Sequence, residues 1–440
     1  MDGTARQHHV VVGGSAAGIA AALSMRQHGF QGRVTVVEAG GELPYERPPL
    51  SKALTEADPA FARPIVPESV YTEQRVDLRL GTRVLALEPA SRAVVLDDGR
   101  TLHADRVLLA TGVIPLTLSV PGAGLTGVVT LRDARDARVL AARLRRGGPL
   151  VVVGGGFIGL EVAAVAREAG LDVTVAELGA LPLEGPLGAV LAQRVTDLHR
   201  GAGVRLRTGV SVAAFTGSGE VSGVRLTTGE VLAAATVVVG VGVRPDTSLA
   251  ERAGVRCDRG IVVDQYCRTS EPWILAAGDV TNQPHPLLTA RGRIEHWDNA
   301  QRQGAVAGAV MAGAPRPHTA LPYFYSEQFG MTLQMYGRPC PDDEFVLRRD
   351  DPAASDGGFL GFWTRRNTLV AAAGMNRPGD LRAARVLIER RVRVDAPALA
   401  SSATDLRALA RAPMPSCTPE RPVASSAATT PATPGREENQ

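Results

Sequence analysis

Two glycine turns of the kind that cradle phosphates lie about 140 positions apart, and each follows a strand-like run and opens a helix-like one. The first is Val10-Val11-Val12-Gly13-Gly14-Ser15-Ala16-Ala17-Gly18, and the second is Val151-Val152-Val153-Gly154-Gly155-Gly156-Phe157-Ile158-Gly159. Such a turn needs a glycine to tighten the loop, a small residue where a pyrophosphate approaches, and a glycine where helix packs on strand. The second motif supplies Gly154, Gly156 and Gly159. The first supplies Gly13 and Gly18 but has Ser15 in the middle, so the backbone-to-phosphate gap must widen or the hydroxyl must join in. The helix N-terminus then offers N–H groups and a positive dipole to the phosphates. An acid that takes the ribose diol is expected about 20 residues further on. Glu38 lies 20 residues after Gly18, and Glu177 lies 18 after Gly159. One motif means little. Two with spaced acids imply two dinucleotides, and the usual reason to hold two is to pass electrons between them.

The acids also bear on cofactor choice. A carboxylate accepts hydrogen bonds from a free diol and repels a 2′-phosphate. Glu177 is followed by Leu178-Gly179-Ala180-Leu181-Pro182, without a cation to hold that phosphate, so the second site is expected to prefer NADH over NADPH. The first site opens the chain and is completed by late segments, which fits a permanently held FAD.

The surrounding pattern repeats. A helix over 18–28, a stop at Gly29 and a strand over 33–37 ending at Glu38 are matched by a strand over 150–153, a helix over 158–168, a stop at Gly170 and a strand over 172–176 before Glu177. A run at 106–112, ending in a tight turn, and similar runs at 236–240 and 273–279 read as strands buried on both faces of a parallel sheet. Residues 321–395 lose this pattern and suggest an α+β domain. From about Ser401 the chain turns to Ala, Ser, Thr and Pro, and 401–440 is expected to be a disordered tail.

Charge and cysteine content narrow the class. A formal net charge of +3 argues against an extended nucleic-acid-binding surface. The longest apolar run, 231–243, is too short to span a membrane and reads as one buried strand. Strand-like sequence from His9 leaves no room for a signal peptide, which points to the cytoplasm. Cys257, Cys267, Cys340 and Cys417 fit neither a zinc spacing nor a C-x-x-C pair, so no metal site is expected. Cys257 and Cys267, flanking a short strand, are expected to be inert, and His8 and His9 to be solvated residues near the N-terminus.

Arg47-Pro48-Pro49-Leu50-Ser51-Lys52, Gly155-Gly156-Phe157-Ile158-Gly159-Leu160-Glu161, Gly278-Asp279 and Glu295-His296-Trp297-Asp298-Asn299-Ala300 occur in this order. Together they resemble the FAD-dependent NADH:ferredoxin reductases of the putidaredoxin reductase type, over roughly residues 8–400. The resemblance implies the glutathione-reductase-like α/β fold: two Rossmann-like dinucleotide-binding domains, the NAD domain inserted in the FAD domain, plus a C-terminal α+β domain. It places FAD at 1–115 and 246–320, NAD at 116–245 and the C-terminal domain at 321–400. It sets Lys52 beside the flavin, Asp279 at the ribityl and pyrophosphate, Trp297 at the isoalloxazine, Glu161 near the nicotinamide and Lys52, and Arg132 as a further FAD contact. The remaining cofactor contacts it implies are Ala16, Ala17, Arg47, Val84, Ala110, Thr111, Gly112, Ile158, Gly240, Gly242 and His296. Taken alone, Lys52 and Glu161 read as solvated charges and Trp297 as core.

The implied activity is hydride transfer from NADH to FAD, then release of single electrons to a small two-iron ferredoxin serving a haem monooxygenase or Rieske oxygenase. Rubredoxin or another carrier is an alternative acceptor. A flavin-bound interaction protein resembling apoptosis-inducing factor is the alternative outside enzymes. Disulfide reductases and relatives with a redox cysteine early in the FAD domain do not fit, because no cysteine precedes Cys257. The chain departs from the family at Pro322-Tyr323-Phe324-Tyr325-Ser326, where Tyr325 replaces a tryptophan in a segment facing the acceptor. The oligomeric state, monomer or homodimer, stays open.

Overall fold

The computed structural model describes residues 7–56, 61–286, 291–348 and 358–412. Two five-stranded parallel sheets are built to one plan. In the first, His8–Val12 lies between Arg33–Val37 and Arg106–Leu109, with Val76–Arg79 and Ile274–Ala276 at the edges. In the second, Leu150–Val153 lies between Val173–Glu177 and Thr236–Val239, with Arg205–Thr208 and Val128–Val129 at the edges. The central strands are apolar on both faces because helices cover both sides.

The difference between the sheets is the source of one edge. In the second it comes from just before the sheet, whereas in the first it returns from after the second sheet is complete. The second unit is therefore an insertion. The chain leaves the first unit through Val113–Pro115 and re-enters through Val243–Pro245, and these two segments pair antiparallel. The predicted single strand over 231–243 is instead three pieces, Val231–Ala233, Thr236–Val239 and Val243–Pro245, interrupted where the chain changes sheet.

The third unit is a five-stranded antiparallel sheet in the order Glu344–Leu347, Phe359–Arg365, Thr368–Met375, Met331–Gly337, Tyr323–Gln328. One face joins the core of the second unit through Leu333, Met335, Phe359 and Trp363. The other is covered by helix Pro378–Glu389 and by short helices Ala396–Ala400 and Leu406–Arg411.

That last helix corrects the expected tail. Leu406 is buried, Asp405 caps the helix by accepting from the N–H groups of Arg407 and Ala408, and Arg348 and Arg390 donate to main-chain carbonyls between 402 and 412. The composition of 401–412 hid one well-placed leucine. The rest of the expected tail, 413–440, lies outside the described residues, as does Cys417. A second correction concerns the histidines. His9 is buried, its ring stacked on Phe30 at 4.1 Å, and burial pushes it down to about 4. His8 is half-buried and bonds Thr35 Oγ1 at 2.9 Å and the His103 carbonyl at 2.8 Å.

Candidate cofactor and electron-transfer site

Both glycine turns take up the tight conformation their spacing implies. Gly13 and Gly154 have φ of +103° and +104°, and a Cβ on either would meet a carbonyl oxygen, of Ala110 at 2.4 Å or Gly240 at 2.3 Å. Gly18 and Gly159 let each helix sit against its own turn, where a Cβ would strike the Gly13 or Gly154 oxygen. The two acids play matching parts. Glu38 accepts from the N–H groups of Gly14 (2.6 Å) and Gly40 (2.8 Å), and Glu177 from those of Gly155 (2.5 Å) and Gly179 (2.6 Å).

A cavity of about 900 Å³ joins the two halves. Gly13, Ser15, Ala16, Ala17 and Glu38 line one end, and Gly156, Ile158 and Gly159 the other. Ala110, Thr111, Gly112, Gly240 and Gly242 line it from the ends of the inner strands, with Val84 beside them. Gly278, Asp279, His296 and Trp297 close it from the late segments, and Arg47, Lys52, Arg132 and Glu161 complete it. Gly18, Gly154 and Glu177 are the sequence-predicted residues that do not line it. The two glycines act as packing and turn residues, and the Glu177 carboxylate is taken up by the Gly155 and Gly179 N–H groups.

At the first turn the Ser15 hydroxyl is tied to a cation. It accepts from Arg47 Nε at 3.1 Å, while Arg47 Nη1 donates to the Arg132 carbonyl at 2.7 Å. Among the described residues neither arginine is ion-paired. Burial, reinforced by Arg47, pushes Arg132 down to about 10. Burial pushes Asp279 up to about 6, against the pull of Arg132, and its Oδ1 has no hydrogen-bond partner. Two uncompensated cations and an orphaned acceptor fit a bound group carrying both phosphates and hydroxyls, as FAD does.

In the middle of the cavity Lys52 Nζ lies 2.9 Å from Glu161 Oε2, the side chains only 18% and 5% exposed. Neither is the solvated charge it resembles in isolation. Lys52 also lies 5.4 Å from the centre of the Tyr325 ring, which is 37% exposed. Phe324 packs between Phe157 (4.5 Å) and His296 (5.0 Å), so an aromatic wall separates this region from a second hollow of about 590 Å³. Arg259, Arg291, Arg293 and Arg338 line that hollow. Burial, with Arg338 nearby, pushes His296 down to about 4, so it is neutral.

Residues 7–304 match the family described as pyridine nucleotide-disulphide oxidoreductase, and residues 323–410 match the reductase C-terminal family. The chain is 40% identical over 404 residues to the anthranilate 1,2-dioxygenase system ferredoxin–NAD(+) reductase component of Burkholderia cepacia, covering 90% of this chain and 98% of that one. It is 37% identical over 381 residues to rhodocoxin reductase of Rhodococcus erythropolis, covering 86% and 88%. The covalent putidaredoxin reductase–putidaredoxin complex superposes with a TM-score of 0.88 at 33% identity, covering 93% of this chain and 100% of the reductase. The chain belongs to the ferredoxin reductases of the pyridine nucleotide-disulphide oxidoreductase family.

Among the described residues of this ferredoxin reductase no cysteine lines the cavity; burial raises Cys257 to about 11 and Cys267 further. Several functional neighbours were not read from sequence. Ser51 and Ser326 both donate to Glu161, Asp246 accepts from the predicted Thr111 through its carbonyl at 2.7 Å, and Phe324 forms the wall. Ser51 had a local signal, since the Pro48–Ser51 turn places it next to Lys52. Ser326 lies in the segment 322–326 that the resemblance marked, but nothing in the sequence tied it to Glu161, 165 positions away.

Among the described residues no helix is long and apolar enough to cross a membrane, and no cluster of three or more His, Cys, Asp or Glu is placed to hold a metal.

Proposed function

We propose that this chain takes hydride from NADH and delivers electrons singly, by way of FAD, to a small two-iron ferredoxin serving a haem monooxygenase or Rieske oxygenase. One observation carries the reading: both glycine turns open on one cavity, with the Lys52–Glu161 pair where they meet. FAD, when bound, supplies acceptance of two electrons as hydride and their release one at a time.

The chain's own residues hold, orient and exclude. Gly13, Ala16, Ala17 and Gly18 bring backbone N–H groups to the pyrophosphate of FAD, with Arg47 and Arg132 balancing its charge and Glu38 holding its ribose. Asp279 accepts from hydroxyls of the linker. Val84, Ala110, Thr111, Gly112, Gly278, His296 and Trp297 shape the rest of that pocket. Gly154, Gly156, Ile158, Gly159, Gly240 and Gly242 do the same for NADH, and Glu177 selects against a 2′-phosphate. Lys52, kept in place by Glu161, sets a positive charge where negative charge grows on reduction. In this reading FAD is held by 1–115 and 246–320 and NADH by 116–245, and a diffusible ferredoxin partner fits the cytoplasm.

The test begins with the protein's colour. It should be yellow and release FAD on denaturation. Anaerobic NADH should bleach it, and added two-iron ferredoxin should be reduced. Release of FMN or no flavin, or a ferredoxin left oxidised, overturns the reading. Lys52→Ala should slow the bleaching with the fold intact, and parental traces would return Lys52 to a surface charge.

A further inference from the structure

Glu161 is a buried carboxylate on which several donors converge. Lys52 Nζ (2.9 Å) and the Ser51 hydroxyl reach Oε2, and the Ser326 hydroxyl reaches Oε1 at 2.7 Å. The bonds continue beyond Ser326. Gln328 Nε2 donates to Ser326 Oγ at 3.1 Å, and His199 Nε2 lies 2.8 Å from Gln328 Oε1.

Each link has one possible direction. An ionised carboxylate only accepts, so Ser326 must donate to it. Its lone pair then takes the Gln328 amide N–H, which turns the Gln328 oxygen toward His199. His199 must therefore carry its proton on Nε2. Its Nδ1 has no partner among the described residues. The whole series is buried: Glu161 is 4% exposed, Gln328 1%, and Ser326 and His199 0%.

The local structure explains why the series holds. Ser326 and Gln328 alternate on one face of strand Tyr323–Gln328. The strand ends in a two-residue turn, Phe329-Gly330, with φ of +52° and +66°. A phenylalanine in the left-handed region is disfavoured, and here its ring meets His199 edge-on at 4.9 Å. The turn thus fixes the far end of the series.

His199, Gln328 and Ser326 do not line the cavity, and the series leaves the second unit at Glu161, passes through Ser326 and Gln328 of the third, and returns to the second at His199. Simple cohesion between units would be met as well by an apolar contact. It requires neither a fixed proton direction nor an end on the carboxylate that holds Lys52. We propose that His199, Gln328 and Ser326 form a positioning relay that fixes Glu161, and through it Lys52, at the cofactor cavity. The inference rests on the function proposed above.

The test uses flavin-loaded protein. His199→Leu, Gln328→Leu and Ser326→Ala each break the relay, whereas His199→Gln keeps a donor at the same end. Anaerobic stopped-flow separates the bleaching rate at saturating NADH from the half-saturating NADH concentration. The breaking variants should slow bleaching about tenfold, the effect of one buried hydrogen bond left unmade, and leave half-saturation nearly unchanged. His199→Gln should recover most of the rate. His199→Leu/Gln328→Leu should be no slower than either alone, because both cut one series. Long-range proton–nitrogen NMR of the parent should show His199 protonated on Nε2.

Parental rates in fully flavin-loaded variants, failure of His199→Gln to recover, or a proton on Nδ1 would each overturn the relay. If His199→Leu does not load flavin, Ser326→Ala, which removes one oxygen, decides the rate question. If NADH does not bleach the parent, the functional reading fails and the tautomer still decides the relay.

Discussion

The two glycine turns share a skeleton and differ in their company. Each pairs a left-handed first glycine with a packing glycine and an acid that braces the loop. The first is then closed in. Arg47 bridges Ser15 to Arg132, and Gly278, Asp279, His296 and Trp297 come back from late in the chain to cover the cavity. The second stays open. Gly156 has empty space where a Cβ would be, Glu177 does not line the cavity, and Leu178 beside it is 74% exposed. The two βαβ units thus differ in the later segments that cover them, Gly278, Asp279, His296 and Trp297 at the first and Phe324 against Phe157 at the second. A reductase that keeps its flavin and turns over its nicotinamide would be served by such a difference.

The sharpest way to break this comparison is to place one methyl group in each turn. Gly13→Ala forces a Cβ onto the Ala110 carbonyl and a left-handed φ on alanine, so it should cost about 3 kcal/mol or more and release flavin. Gly156→Ala meets nothing within 4 Å and has φ of −76°, so it should keep flavin and melting temperature and only weaken NADH. Flavin content and thermal unfolding of both variants decide the matter. A yellow, stable Gly13→Ala protein would mean that the first turn is no tight cradle.

The C-terminal unit belongs with the second turn, since its sheet shares that unit's core. Removal of 413–440 should therefore change neither flavin content nor stability. Removal of 401–440 exposes the face that Leu406 covers and strips acceptors from Arg348 and Arg390. It should cost about 2 kcal/mol while flavin at the first turn is retained. Thermal melts of the two truncations check this, and identical melts would show that the last helix adds nothing.

What could be read from sequence was local. The glycine turns, their acids and the Arg47 to Lys52 segment each lie within a few dozen residues, and the physics that fixes them is the same in any chain. The parts that were not legible depend on strands meeting across the fold. His9 looked solvated because its partner Phe30 is 21 positions away on the far side of a helix. Ser326, Gln328 and His199 carry no pattern of their own and gain meaning only when Tyr323–Gln328 is laid against Glu161 and His199. The helix at Leu406 shows the opposite error, in which polar composition concealed a single buried anchor.

A smaller effect sharpens the contrast between the acids. Both brace their turns, and in the proposed function only Glu177 belongs to the NADH site. Glu177→Arg should lower the NADH over NADPH preference about tenfold, as a cation replaces a repelling carboxylate. Loss of its bonds to Gly155 and Gly179 should also raise the half-saturating concentration for both cofactors. Glu38→Arg should instead lower flavin content and leave the preference unchanged. Steady-state kinetics with both nicotinamides checks it, and equal efficiency in the unmodified protein would remove the basis of the argument.

The smallest effect concerns the arginine-lined face. Arg259, Arg291, Arg293 and Arg338 line the hollow behind the Phe324–His296 wall, and Arg302 lies on the helix that His296 begins. Their charge is not all available. Arg302 is paired with Asp298 at 2.7 Å, Arg293 with Glu295 at 2.7 Å, and Arg291 donates to the Val263 and Asn282 carbonyls. Among the described residues Arg338 has one main-chain partner, the Arg293 carbonyl at 3.1 Å, and so presents the least compensated charge. Rim charges mainly raise the association rate of an acidic partner, and screening over roughly 10 Å at 0.1 M salt removes that gain. Ferredoxin-dependent turnover should therefore fall a few-fold as salt rises, while NADH-to-ferricyanide turnover, which needs no docking, responds differently. Arg338→Glu should weaken the apparent ferredoxin affinity more than Arg302→Glu, because the Arg302 charge is already met by Asp298 and offers less attraction to lose. A salt series on the parent and both variants measures this. If salt and both reversals leave the apparent affinity unchanged, the ferredoxin docks away from the His296–Phe324 wall.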